Sequence, residues 1–100
     1  MQIHLVETSN NFVKLKENVW ESGWWSLRES DAAKLVGGRI YFHRGQQESS
    51  FYGGNITAYR VVQEGVHKDL VVFEFQHNKD CRNIKTDKSG WSKKMKIIEL

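Results

Sequence analysis

The chain has 100 residues, 39% hydrophobic and 27% charged, with four tryptophans, one cysteine and no proline. That length supports one modest core and so a single domain over 1–100, and the composition excludes a disordered chain. No apolar run approaches the roughly 20 residues that span a bilayer, and a lone cysteine excludes both an internal disulfide and a zinc site with two thiolates.

Residues 3–6 are short and apolar and read as a first strand. The N-terminal stretch "MQIHLVETSNN" lacks a basic start leading into an apolar stretch, so no secretory signal is expected and the protein is expected in the cytoplasm. The sequon at Asn55 and Thr57 then carries little meaning. Asn10 or Asn11 is placed to cap a helix over 12–18, where Phe12, Leu15 and Val19 fall at helical spacing. The stretch "VWESGWW" crowds Trp20, Trp24 and Trp25 around Gly23 and suits an irregular, aromatic-rich connection. A second helix follows, with Ser30 as N-cap, Asp31 at its positive end, Ala32 and Ala33 as strong formers, and Gly37 available for the left-handed position that ends it.

From there the pattern turns strand-like. Residues 39–44, 55–62 and 70–76 are rich in β-branched and aromatic side chains bounded by glycine or polar clusters, and 95–100 reads as a closing strand. The expected order is strand, two helices, three strands, a basic loop and a last strand. The expected fold class is therefore α+β: a small, mostly antiparallel five-stranded curved sheet or β-barrel with two short helices near the N-terminus.

Strand parity sorts the side chains. Ile40 and Phe42 face one way and Arg39, Tyr41 and His43 the other, while Val71, Phe73 and Phe75 share a face. The apolar sets are core. Tyr41 and His43 are either site residues or side chains half-covered by a helix. The loop "GQQESSFYGG" is longer than the usual 2–5-residue hairpin connection. Its Gln46, Gln47, Ser49 and Ser50 donate and accept hydrogen bonds, and Phe51 and Tyr52 offer flat faces, the combination that holds a planar heterocycle. The plainer alternative is a loop tethered by Phe51 with its polar residues in water. Adjacent Trp24 and Trp25 cannot both enter one core easily, so at least one is expected to line a cleft or face solvent.

The net charge is +3, yet 79–96 holds seven basic residues against Asp80 and Asp87, a surplus of five. Arg82, Lys85, Lys88, Lys93 and Lys94, with Trp91 among them, match the interleaved cations and rings of single-strand binders; a solvated lysine-rich loop, with Trp91 as its anchor, is the alternative.

Residues 19–25, 35–43 ("LVGGRIYFH") and 50–62 ("SFYGGNITAYRVV") resemble the PUA-like superfamily, in particular EVE and YTH domains, with ASCH domains as a related branch. The resemblance implies a compact β-barrel with flanking helices that holds a modified or flipped nucleobase in an aromatic pocket. In it Trp24 or Trp25 would be a cage wall, His43 a strand-end pocket residue, and Ser50, Phe51 and Tyr52 the rim. The expected base pocket is thus Trp24, Trp25, Tyr41, His43, Gln46, Ser50, Phe51 and Tyr52.

Enzymatic signals are weaker. Cys81 follows His77 by four residues with Asp80 adjacent, but catalytic pairs usually meet through the fold. His4, His43, His67 and His77 are dispersed without paired ligand spacing, so no metal and no cofactor is expected. The leading expectation is a monomeric nucleic-acid-binding module, for DNA or RNA, with no membrane partner. The alternatives are a small hydrolase of nucleoside-like compounds using His43, His77 or Cys81, and an interaction subunit whose exposed tryptophans meet another protein.

Overall fold

Asn18 takes a left-handed backbone (φ 64°), a conformation asparagine tolerates better than most residues. In the computed structural model, which describes residues 1–99, Glu17 and Asn18 form a tight turn between two antiparallel strands, β2 (Phe12–Lys16) and β3 (Val19–Trp25). The helix expected over 12–18 is therefore a strand. The spacing of Phe12, Leu15 and Val19 was misleading, since Leu15 is 46% exposed and only Phe12 turns its ring onto the core. The aromatic-rich stretch expected as a connection is β3 itself, which pairs with β2 on one side and β6 (Val71–His77) on the other, with a bulge between Ser22 and Trp25.

The other elements are β1 (Gln2–Val6), α1 (Glu29–Leu35), β4 (Arg39–His43), β5 (Ser50–Val61), a short 3-10 turn at Lys79–Cys81, and β7 (Met95–Ile98). Seven strands form one mixed sheet in the order β2-β3-β6-β5-β4-β1-β7. The expected five-stranded sheet or barrel with two N-terminal helices is corrected to an open seven-stranded sheet with one helix among the described residues. β1 and β4 run parallel, and the connection between them carries β2, β3 and α1. A parallel pair requires such a crossover, which period-two patterning of single strands does not reveal.

The sheet curls without closing. Phe12 on β2 meets the ring of Phe42 on β4 at 4.9 Å, although β3, β6 and β5 lie between those strands. Among the described residues neither edge has a further partner strand, β7 meeting only Ser92 through Met95, and the β2 edge is short and carries exposed Lys14 and Lys16, which discourages further pairing. Ile3, Leu5, Ile40, Phe42, Phe73 and Phe75 are wholly buried along the inner face, with Leu35 and Ala32 of α1 packed on them. Each of the larger side chains contributes about 1.5–3 kcal/mol by leaving water.

α1 begins at Glu29 with Arg28 as its N-cap residue and no side-chain cap, so Ser30 lies inside the first turn; Gly37 (φ 91°) follows its end in the left-handed conformation. β5 starts at Ser50, five residues earlier than expected. Gly53 and Gly54 therefore lie within it, where a Cβ would collide with the carbonyl oxygens of Ile40 and Gln76 respectively. The β4–β5 connection shrinks to 44–49.

Over β1 and β4 the second face of the sheet is covered by the basic segment, while Asn55, Thr57 and Gln76 stay exposed over β5 and β6. Ser50 exchanges backbone bonds with Asn83 (2.7 Å) and Ile84 (2.8 Å), and its hydroxyl donates to the Cys81 carbonyl at 2.6 Å. Lys96, only 7% exposed, donates from Nζ to the Asp87 carbonyl (2.9 Å) and to its Oδ1 (3.1 Å). Among the described residues no helix is long and apolar enough to cross a membrane.

Candidate functional site

A cleft of about 900 Å³ lies between the end of β1, the end of β3 and the turn at 92–95. β3 and β1 are not neighbours in the sheet; its curl brings their ends together. One wall is Trp24 and Trp25. Trp25 is 9% exposed with its indole Nε1 donating to Ser22 Oγ at 3.0 Å, whereas Trp24 is 43% exposed and lies flat on His67, 3.6 Å between ring centroids. The opposite wall is a tight turn in which Ser92 and Met95 exchange backbone bonds (2.8 and 3.1 Å), leaving Lys93 and Lys94 at its tip. The side chain of Gln46 fastens that turn by donating to the Lys93 carbonyl.

Glu7 was not anticipated from the sequence. It lies one residue beyond β1, its backbone N–H bonded to the His43 carbonyl at 2.8 Å, and it is 4% exposed. Its Oε1 accepts the Ser9 N–H at 2.7 Å. Neither lysine of the cleft pairs with it, and Oε2 has no donor among the described residues. An ionised carboxylate only accepts hydrogen bonds, so Glu7 presents the cleft with a site for N–H groups. Asn11 ties the adjacent loop to β3 by donating to the Gly23 carbonyl at 2.9 Å.

Tyr41 and His43 lie elsewhere, on the covered face. His43 Nδ1 lies 2.8 Å from the Glu48 carbonyl and His43 Nε2 lies 2.8 Å from His4 Nδ1. A carbonyl only accepts, so Nδ1 of His43 carries the proton, Nε2 accepts, and His4 Nδ1–H donates to it. His4 in turn stacks on Tyr41 at 4.5 Å. Trp91 closes this cluster, its ring edge-on to His4 (6.4 Å) and His43 (5.7 Å), with its indole N–H buried and unpartnered. Burial, then the neighbouring His43 and Lys96, push His4 down to about 4, and burial lowers His43 as well. Trp91 is thus seated on the histidine pair rather than presented to solvent.

The rest of the expected pocket divides further. Ser50 is buried and occupied with Cys81 and Ile84. Phe51 and Tyr52 line a separate groove with Trp20 and Arg82. Lys85 and Lys88 are exposed on the covering segment. The structure therefore brings together Trp24, Trp25, Lys93 and Lys94, with Gln46 behind the lysines, and it does not gather the eight expected pocket residues into one cavity. Tyr41, His43 and Ser50 are held inside because the 79–96 segment roofs their face, a long-range contact that local pattern does not encode. Of the residues missed, Asn11 was read as a helix cap and Trp20 as part of a loop, while nothing local marked Glu7.

Cys81 is fully buried, its Sγ 3.8 Å from the Gly54 carbonyl, and burial pushes its thiol up. His77 Nδ1 faces the Gly53 carbonyl at 3.0 Å, and its ring stacks on Tyr52. These two do not form a nucleophile–base pair. No family model, curated protein or solved structure matches the chain.

Proposed function

We propose that the protein is a nucleic-acid-binding module that holds one unstacked base in the cleft between the two tryptophans and the lysine turn. The observation that carries this reading is the meeting of Trp24, Trp25, a buried carboxylate and two lysines around one cavity of about 900 Å³. Trp24 offers an exposed indole for stacking, Glu7 accepts from an amino or ring N–H on the base edge, and Lys93 and Lys94 stand where the backbone phosphates leave the cleft. The base edge that meets Glu7 is therefore one that presents an N–H donor, an exocyclic amine in adenine, cytosine and guanine or a ring N–H in guanine, thymine and uracil. On this reading the protein acts as a cytoplasmic monomer. Kinship with the PUA-like superfamily belongs to the same proposal and rests on the motif residues in 19–25, 35–43 and 50–62 alone.

The test is binding of random-sequence single-stranded 10-mers, as DNA and as RNA, and of the nucleoside monophosphates, over a range of salt. Affinity falls with salt, and Lys93→Ala with Lys94→Ala reduces the slope of log K against log salt by about 0.7 per lysine while weakening all sequences alike. Trp24→Ala weakens binding by about 1–3 kcal/mol, and Glu7→Gln reduces discrimination among bases. Salt-independent behaviour, or no binding of either nucleic acid, removes this reading.

A further inference from the structure

A second aromatic cavity adjoins the cleft across one corner of the chain. Asn11 lines the cleft, and its neighbour Asn10 lines a groove of about 500 Å³ whose other walls are Phe12, Trp20, Phe51, Tyr52 and Arg82. The rings brace one another edge to face, Phe12 on Tyr52 at 5.7 Å and Trp20 on Tyr52 at 6.2 Å, and His77 holds Tyr52 from behind by stacking at 4.4 Å.

Three cations stand over these rings. The Arg44 guanidinium lies 3.7 Å from the Phe51 centroid, Arg82 5.3 Å from Tyr52, and Lys14 Nζ 5.9 Å from Trp20. Lys14 is shared with exposed Glu17, and Arg44 donates to the Glu7 carbonyl at 3.1 Å. Arg82 is exposed and meets no carboxylate among the described residues. An apolar segment of protein seated here would cover the rings and leave the cations unmatched. A planar group attached to a phosphate satisfies both.

We propose that this groove is a second nucleobase subsite, which takes a neighbouring base of the strand whose first base enters the cleft, with Trp20 as its stacking surface and Arg82 on its phosphate. The inference rests on the nucleic-acid reading of the cleft and extends it from one base to a path along the molecule. Asn10 and Asn11 are the corner the strand crosses. Both cavities thus border the same loop.

The experiment compares nucleoside monophosphates with random-sequence single-stranded 10-mers of DNA and RNA, on the wild type and on Trp20→Ala, Arg82→Gln and Trp24→Ala. Arg82 is exposed, so Arg82→Gln keeps the test valid if the partly buried Trp20 proves necessary for folding. Trp20→Ala lowers 10-mer affinity by about 5- to 100-fold, Arg82→Gln lowers the salt slope by about 0.7, and both lower 10-mer affinity by a larger factor than monophosphate affinity, which the cleft also supplies. Binding of 10-mers that is lost in Trp24→Ala but untouched in the other two overturns the subsite and leaves the cleft standing. Loss in Trp20→Ala and Arg82→Gln with no effect of Trp24→Ala supports the groove and overturns the cleft. Absence of binding by the wild type overturns both.

Discussion

Acidification should weaken this fold through one buried pair, His4 and His43. Both rings are shut from solvent, His4 at 2% and His43 at 0% exposure, and their hydrogen bond works in one protonation state. Adding a proton to His43 Nε2 sets two N–H groups head-on; adding one to His4 places a cation beside Lys96 inside the protein. Folding accordingly holds His4 at about 4 instead of 6.5. The sign follows from proton uptake: below pH 6.5 the unfolded chain binds a proton that the folded chain refuses. The contribution is complete above 6.5 and is lost as pH falls from 6.5 through 4. A shift of that size amounts to about 3 kcal/mol once titration is complete, and to roughly 2.5 kcal/mol by pH 4.5. Against a total stability of about 5–15 kcal/mol that is a large fraction. Urea unfolding followed by tryptophan fluorescence at pH 7.5, 6.5, 5.5 and 4.5 measures it, with His4→Gln as the variant whose acid dependence is reduced. Asp87 does not confuse the window: its bonds from Ser89 and then Lys96 hold its carboxyl at about 2, so its contribution is lost only as pH falls from 3.8 towards 2. A midpoint unchanged from pH 7.5 to 4.5, or an identical acid slope in His4→Gln, refutes the reasoning. The same titration bears on the cleft, because beside this pair the Glu7 N–H donates to the His43 carbonyl and the Lys94 carbonyl accepts from the Val6 N–H at the end of β1.

Two further outcomes follow from packing. Gly53→Ala or Gly54→Ala should each cost more than about 3 kcal/mol in a denaturant midpoint, because the new Cβ meets a neighbouring strand's carbonyl that cannot yield, whereas Gly45→Ala meets only the flexible end of Glu48 at 3.1 Å and should be near neutral; equal effects at the three positions contradict this. Cys81, buried and with its thiol pushed up by burial, should react with a thiol reagent only as fast as the protein opens, and labelling of the native protein at the rate of a free thiol would refute that.

Several features were legible in the residues. The burial of Ile40, Phe42, Val71, Phe73 and Phe75 follows from their alternation, and a strand's period of two allows little else once one face is apolar. Gly37 at the end of α1 and the exposure of one of the adjacent tryptophans were likewise readable. Other stretches misled for identifiable reasons. Five residues at 12–16 are too few for spacing alone to separate a helical face from a strand, and only the turn at Asn18 settles the matter. The glycine pair at 53 and 54 looked like the start of a strand because glycine is read as punctuation; inside β5 it serves close approach between strands instead.

The sequence by itself determined the apolar faces of the strands, the surplus of cations in 79–96 and the concentration of tryptophans near Gly23, because each is a property of neighbouring residues. Only the tertiary structure decided which rings share a cavity. The parallel pairing of β1 with β4, the curl that carries β3 round to the end of β1, and the roof formed by 79–96 are contacts between residues far apart in the chain. Those contacts buried Tyr41, His43 and Ser50, parted Phe51 and Tyr52 from Trp24, and set Glu7 facing a cleft beside Lys93 and Lys94. No local pattern encodes such an arrangement, since the free energy that selects it comes from burying the whole sheet at once.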